Sequence, residues 1–135
     1  HVNELGDVIF LNWGYDENVT PDAINNTAKL GKEQYVCPGC NNWTPLIEQT
    51  KRSIPNITKM AKFGYDAGAK GLLNTCWGDY GHISPLEATM YSIIFGAAKA
   101  LNATGATAQA AKSEAEVMAA NLLKVLLVFF IIILL

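Results

Sequence analysis

The chain is predicted to be an α/β protein built on parallel strands. Three short apolar runs alternate with three helical segments, and a polar loop follows each apolar run. Because neighbouring parallel strands need a crossover between them, this order predicts three βα units with right-handed connections. Three such strands are too few for a sheet covered on both faces. We therefore expect either a small open α/β domain or the last part of a (β/α)8 barrel.

The first unit begins with the apolar residues 8–11, a run typical of a strand that is buried on both faces. Thr20 and Pro21 then indicate a helix start, with threonine as the N-cap and proline at the first helical position. We expect this helix to reach Leu30 and to stop at Gly31, because glycine readily adopts the left-handed conformation that ends a helix.

The second unit opens with a strand over residues 34–37, which Pro38 and Gly39 end. Thr44 and Pro45 repeat the cap-and-proline start, so a short helix is predicted after them. A longer helix is predicted to begin at Pro55 and to run to about residue 67.

The third unit is predicted as a strand over residues 70–75, a polar loop over 76–82 and a helix that reaches about residue 101. The sequence Ser-Pro-Leu-Glu at 84–87 matches a capping box with proline at the first helical position. This predicts that the third helix begins at Pro85.

The chain divides into residues 1–103, which hold these units, and residues 104–135. The second part starts within an alanine-rich segment predicted to be helical and ends in eleven apolar residues after Lys124. A membrane-spanning helix needs about 20 apolar residues, so a truncated membrane anchor, a buried element and a sequence error are all open interpretations. Because residue 1 is His1, we expect a processed form or a fragment.

Composition narrows the classes of function. The 135 residues include ten basic and twelve acidic side chains, which is not the electrostatic signature of a nucleic-acid-binding protein. Three cysteines are too few for a disulfide scaffold. Five N-x-S/T sequons hint at a secretory route, so a secreted protein and one of a lysosome- or periplasm-like compartment are both compatible. The sequons lie at Asn18, Asn25, Asn42, Asn56 and Asn102.

All three tryptophans come after predicted strands: Trp13 after the first, Trp43 after the second and Trp77 after the third. Loops at the carboxyl ends of parallel strands meet at one edge of the sheet, so we expect these indoles to lie together. Flat aromatic walls with a few polar groups suit a sugar ring. The alternative is that the tryptophans only pack the end of the sheet. The polar groups predicted beside them are Tyr15, Asn42, Asp79 and His82.

The segments LNWGYD, YVCPGCNNW and GLLNTCWGDYGHISPL resemble the last three βα units of the barrels of glycoside hydrolase family 20, over about residues 8–101. This family comprises β-N-acetylhexosaminidases and their relatives. The resemblance implies an exo-acting hydrolase that removes terminal N-acetylhexosamine by substrate-assisted catalysis and uses no cofactor. The resemblance places the catalytic Asp-Glu pair after the fourth barrel strand, so no catalytic residue is expected in this chain.

What the resemblance carries over to this chain is a substrate-binding wall. The NWGY match implies Trp13 and Tyr15, and the aromatic residue after the CPG turn implies Trp43. The WGD match implies Trp77 and Asp79, and the GH that follows implies His82. Where the family pattern has an aspartate before the tryptophan, this chain has Cys76. A thiol is a weak hydrogen-bond donor, so a charge-assisted bond to a sugar hydroxyl would be lost there.

Two other classes of function stay open at this stage. One is a non-catalytic carbohydrate-binding module that uses the same tryptophans. The other is a small zinc-binding α/β domain, because Cys37, Cys40, Cys76 and His82 make up a Cys3His set. The C-x-x-C formed by Cys37 and Cys40 is also compatible with a redox pair at a helix start, while plain thiols without a function are the simplest interpretation.

Overall fold

The computed structural model describes residues 6–81 and 83–103, where β-strands and α-helices alternate around a small parallel sheet. The predicted α/β class is confirmed for this part of the chain. His82 and residues 104–135, with the predicted alanine-rich helix and the apolar tail, lie outside the described residues.

The sheet has three parallel strands in the sequential order β1-β2-β3. Its register pairs Trp13 with Cys37 across the first two strands and Val36 with Leu72 across the second pair. None of the described helices is long and apolar enough to cross a membrane. The elements in chain order are β1 (Ile9–Trp13), α1 (Asp22–Lys29), β2 (Glu33–Cys37), α2 (Thr50–Asp66), β3 (Gly71–Leu72) and α3 (Met90–Ala103).

All three helices pack on one face of the sheet, to which the even-numbered strand residues point. Val36 of β2 is buried in the core with Ile24 of α1 and Met60 of α2. On the same face, the side-chain amide of Asn74 donates a hydrogen bond to the carbonyl of Ser92 in α3 (2.9 Å). The core therefore lies between β2 and the helices, with α3 joined to the sheet beyond β3.

The opposite face is open within the described residues, so the prediction of a first strand buried on both faces is wrong. Ile9 and Leu11 are 55% and 56% exposed, and Leu73 beside β3 is 49% exposed. The physical reason is that the helices cover only one face and β1 lies at the sheet edge. Apolar composition alone cannot distinguish a strand covered on both faces from one covered on a single face.

The third strand is shorter than the predicted residues 70–75. Leu73 donates its N–H to the carbonyl of Val36 (2.9 Å), and in a parallel ladder the next bond would come from the N–H of residue 38. That residue is Pro38, which has no N–H, so the ladder stops there. Pairing resumes only as the isolated bridge between Gly39 and Thr75.

The second unit contains one helix where two were predicted. No helix forms directly after Pro45, and the segment 44–49 bends so that the N–H of Gln49 reaches the carbonyl of Asn41 (3.1 Å). The helix α2 starts at Thr50 and continues through Pro55. At this sixth helical position, proline removes a single i to i−4 hydrogen bond, which the long helix tolerates.

The third helix begins later than the predicted start at Pro85, and the predicted capping box does not form. Pro85 is extended (φ −60°, ψ 140°), a 3-10 turn spans Leu86–Thr89, and α3 begins at Met90. Glu48 supplies the carboxylate at this helix start, where its Oε2 accepts a hydrogen bond from the N–H of Ser92 (3.3 Å). An acidic group is favourable there because the first helical N–H groups lack intrahelical acceptors.

The predicted helix ends are confirmed by two glycines in the left-handed region. Gly31 (φ +66°) follows α1 and Gly68 (φ +67°) follows α2, close to the predicted stops. The predicted start of α1 is wrong by one residue: Pro21 is the N-cap and the helix begins at Asp22. The hydroxyl of Thr20 donates to the carboxylate of Asp22 (2.7 Å) and makes no capping bond to a backbone N–H.

We expect Gly64→Ala to destabilise the protein, because α2 lies against β2 at this glycine. A Cβ at Gly64 would come within 2.8 and 2.9 Å of the two methyl groups of Val36, a buried β-branched side chain. An overpacking cost of about 1–3 kcal/mol outweighs the gain of about 1 kcal/mol from replacing a glycine inside a helix. Urea denaturation should show a net loss of about 1 kcal/mol in the free energy of unfolding.

Gly6→Ala is the matched control, because a Cβ there has no neighbour within 4 Å. A gain in stability for Gly64→Ala would show that α2 and β2 can separate without loss of packing.

Candidate aromatic site

Four aromatic rings meet at the carboxyl ends of the three strands. Tyr15 lies at the centre: its ring stacks on Trp13 with centroids 5.4 Å apart at 25°. Trp43 and Trp77 contact Tyr15 edge-on, with centroids 5.2 and 6.2 Å away. The prediction that the three tryptophans lie together is therefore confirmed, and Tyr15 is the residue that joins them.

The aromatic cluster sits above Gly39, on the face of the sheet that the helices leave open. A Cβ at Gly39 would lie 2.8 Å from the ring of Tyr15 and 3.0 Å from the ring of Trp43, so only glycine leaves room for these rings. Trp13 is 70% exposed and Trp77 is 48% exposed, whereas Tyr15 and Trp43 are half-buried. The cluster thus has a packed base and two indoles with accessible faces.

A buried side chain from α2 holds two of the loops together. Asn56 is fully buried, and its Nδ2 donates to the carbonyls of Gly14 (2.8 Å) and Asp16 (2.9 Å). Its Oδ1 accepts a hydrogen bond from the N–H of Gly39 (3.1 Å). One amide therefore joins the loop after β1, which carries Tyr15, to the glycine beneath the rings. Sequence reasoning missed this role, because asparagine in a helical segment gives no local signal for it.

Asn41 makes a second connection between the same loops. Its backbone is left-handed (φ +50°), a conformation that asparagine tolerates better than most residues. Its Nδ2 donates to the carbonyls of Tyr15 (3.2 Å) and Gly39 (3.1 Å). Its Oδ1 is buried and has no hydrogen-bond partner among the described residues. The sequence signal for this site was the Gly-Cys-Asn-Asn turn, which favours such a conformation.

Charged side chains of α2 form ion pairs and a hydrogen bond with the loop after β1. Arg52 pairs with Glu17 through its Nε (3.0 Å) and with Asp16 (3.5 Å). Lys59 donates to the backbone carbonyl of Glu17 (2.6 Å). The two ion pairs are partly exposed, so they contribute little free energy but restrict where the loop lies.

Asn42 was predicted as a polar group of the site, and the structure places it in the interior. It is fully buried, and its Nδ2 donates to the hydroxyl of Thr89 (2.6 Å) and to the sulfur of Cys76 (3.2 Å). Cys76 stands where the family pattern has an aspartate, and its sulfur accepts this hydrogen bond from the buried Asn42 amide.

Two of the five sequons are closed to glycan attachment in the folded chain, because Asn42 and Asn56 are buried. Asn18 and Asn25, in contrast, are exposed.

The acidic residue predicted for the site lies on an exposed turn. Asp79 begins the 3-10 turn Asp79–Gly81, in which Tyr80 is left-handed (φ +53°). Asp79 is exposed, so its carboxylate is accessible to a ligand hydroxyl. His82, which was also predicted to bind substrate, lies outside the described residues, so its role stays a prediction.

Two of the three cysteines are buried and the third, Cys76, is exposed. Cys37 and Cys40 are buried, and burial raises the pKa of the Cys37 thiol. The pKa of Cys40 is raised to about 12, first by burial and then by the nearby Cys76 and Glu48. The redox interpretation of the C-x-x-C is not supported, because no helix starts there: α2 begins only at Thr50.

The described residues include no group of three His, Cys, Asp or Glu side chains arranged to hold a metal ion. The predicted zinc set of Cys37, Cys40, Cys76 and His82 includes a residue outside that part of the chain. The zinc interpretation therefore stays a prediction.

Asn56→Ala should destabilise the protein strongly, because the buried N–H of Gly39 and two partly buried loop carbonyls lose their partner at once. An unsatisfied buried polar group costs about 1–3 kcal/mol, so we expect a loss of about 2–4 kcal/mol in the free energy of unfolding, with loop relaxation recovering part of the total. Urea denaturation followed by far-UV circular dichroism measures this change.

The matched control is Asn25→Ala on the exposed side of α1, which should change stability by less than about 0.5 kcal/mol. Equal effects of the two substitutions would show that the Asn56 amide does not hold the loops.

No family model, curated protein or solved structure matches this chain. The resemblance of its motifs to glycoside hydrolase family 20 accordingly remains a prediction. The function is inferred from the motifs and from the geometry of the aromatic cluster.

Proposed function

We propose that this chain forms the last three βα units of a (β/α)8 glycoside hydrolase domain and supplies the aromatic wall of a subsite for a terminal N-acetylhexosamine. The observation that carries the proposal is the meeting of four rings from three successive strand ends around Tyr15. Enzymes with (β/α)8 barrels bind their substrates at this end of the strands.

The arrangement of helices supports the barrel. A doubly wound sheet has helices on both faces, whereas a barrel keeps every helix outside and its strands in sequential order. Here the strand order is sequential, and Ile24 of α1 and Met60 of α2 both pack on Val36. The α3 helix contacts α2 and the same face of the sheet.

In this proposal, the face of the sheet that carries no helices would line the interior of the barrel. In a (β/α)8 barrel, alternate strand residues fill the interior in packed layers. Ile9 and Leu11 of β1 and Leu73 beside β3 are the exposed apolar residues that would form such layers. Their counterparts would come from the other five βα units of the proposed domain.

The exposed indole faces suit the apolar side of a sugar ring. Trp13 and Trp77 present the accessible faces, and the Asp79 carboxylate is exposed and able to accept a hydrogen bond from a ring hydroxyl. In the proposed division of labour this chain binds and orients the sugar. The carboxylates that orient the acetamido group and protonate the leaving oxygen belong, by the resemblance, to other βα units.

N-acetyl sugars should perturb the tryptophans selectively. All three tryptophans of the chain belong to the aromatic cluster, so every indole N–H signal in a 15N-correlated NMR spectrum reports on it. We expect methyl N-acetyl-β-glucosaminide to shift these signals more than methyl β-glucoside does. Trp77→Ala should weaken binding about fivefold, which corresponds to an aromatic contact of about 1 kcal/mol.

Tyr65→Ala is the control, because Tyr65 is an exposed aromatic residue of α2 outside the cluster. Absence of any indole shift would contradict sugar binding. Equal shifts with both glycosides would contradict the N-acetyl preference and favour a general carbohydrate-binding module.

The 135-residue chain should bind the sugar without hydrolysing it. Incubation with 4-nitrophenyl N-acetyl-β-glucosaminide should release no nitrophenol above the rate of a buffer control, because the proposed catalytic carboxylates are carried by other units. Release of nitrophenol by this chain would contradict the proposed division of labour while leaving the aromatic wall in place.

A further inference from the structure

We propose that Cys40 and Cys76 are a dithiol pair that closes to a reversible disulfide and joins the loops after β2 and β3. This inference concerns the framework beneath the aromatic cluster and does not depend on which ligand the cluster binds.

Backbone pairing puts the two cysteines side by side. Gly39 bridges Thr75 in the parallel sense, so Cys40 and Cys76 are the next residues in register. Two hydrogen bonds frame this register: the N–H of Cys40 donates to the carbonyl of Thr75 (2.9 Å), and the N–H of Thr75 donates to the carbonyl of Pro38 (2.9 Å). Neighbouring strands lie about 4.8 Å apart, within the span of about 4.4–6.8 Å between Cα atoms that a disulfide bridges.

The Cys40 thiol lies near Cys76 and is hydrogen-bonded with the Asn74 side chain, while the Cys76 sulfur lies beside Asn42. The Cys76 sulfur accepts a hydrogen bond from the Asn42 amide (3.2 Å) and lies 3.5 Å from its Oδ1, while Cys40 is fully buried. The nearby Cys76 is among the causes that raise the pKa of the Cys40 thiol. Cys37 differs, because it precedes Cys40 by three residues in an extended segment and its side chain points to the other face of the sheet.

The two cysteines differ in exposure to solvent, and this difference determines which thiol reacts first. Cys76 is exposed as a residue, so it reacts first with a low-molecular-weight disulfide such as oxidised glutathione. The Cys76 sulfur bonds to one glutathione sulfur, and the other glutathione leaves as a thiol that takes up the Cys76 proton. The Cys40 sulfur then attacks the Cys76 sulfur, and the second glutathione leaves with the Cys40 proton. Two electrons pass from the protein thiols to the glutathione disulfide.

The bond would restrain the site directly. Cys40 lies three residues before Trp43, and Cys76 is followed at once by Trp77. The disulfide would also close a long segment that contains α2, which restricts the unfolded chain. Oxidation should therefore raise the melting temperature by about 5 °C or more.

The test uses the full chain, first reduced and then equilibrated with oxidised glutathione. We expect the intact mass to fall by two hydrogen atoms with no glutathione retained. Trypsin cleaves at Lys51 and Lys70 between the two cysteines, so the bond should appear as a pair of linked peptides that reduction separates. Cys37→Ala is the matched control and should keep both the linked pair and the increase in melting temperature.

Three results would overturn the proposal. The first is a stable glutathione adduct on Cys76 with no linked peptides. The second is a set of three thiols that all remain unmodified. The third is a linked pair that persists in Cys40→Ala, which would assign the bond to Cys37. The first two results are measured by peptide mapping of the unsubstituted chain, so they test the proposal even if a variant folds poorly.

Discussion

The side-chain amide of Asn56 is the constraint on which the aromatic end of this protein depends. It comes from a helix, yet all its hydrogen bonds go to loop backbone: two carbonyls after β1 and the N–H of Gly39 after β2. The N–H of Gly39 is buried and the two carbonyls are partly buried. These groups need a partner, since a buried unsatisfied group costs about 1–3 kcal/mol. The helix thus supplies the hydrogen bonds that fix where Tyr15 lies, and Tyr15 in turn contacts all three tryptophans.

The sheet divides the molecule into two chemically different sides. One side packs Val36 against α1 and α2 and forms the small apolar core. The other side has exposed apolar strand residues that lead up to the aromatic cluster. This asymmetry follows from right-handed crossovers, which put successive helices on the same face when the strands advance in one direction. The same geometry leaves the tryptophan loops free of helices and accessible to a ligand.

Polar side chains join the loop after β2 and helix α2 to the start of α3. Ser53 and Ser92 share a hydrogen bond (2.9 Å), and Glu48 accepts from the backbone of Ser92. Asn42 reaches Thr89 in the 3-10 turn before α3. These bonds fix the start of α3 relative to the loop after β2. Hydrogen bonding depends on direction more strongly than apolar contact does, so this network specifies one arrangement of the two segments.

The sequence by itself determined the order of the βα units, the glycine stops after α1 and α2 and the placement of the tryptophans at strand ends, because each follows from local pattern and backbone preference. It placed the starts of α2 and α3 wrongly and took β1 to be buried on both faces. Those features were decided by the tertiary structure. Gly14 and Asn56 are 42 residues apart, and Glu48 and Ser92 are 44 residues apart. Such contacts arise only when the crossovers bring distant segments together, so no local pattern in the sequence indicates them.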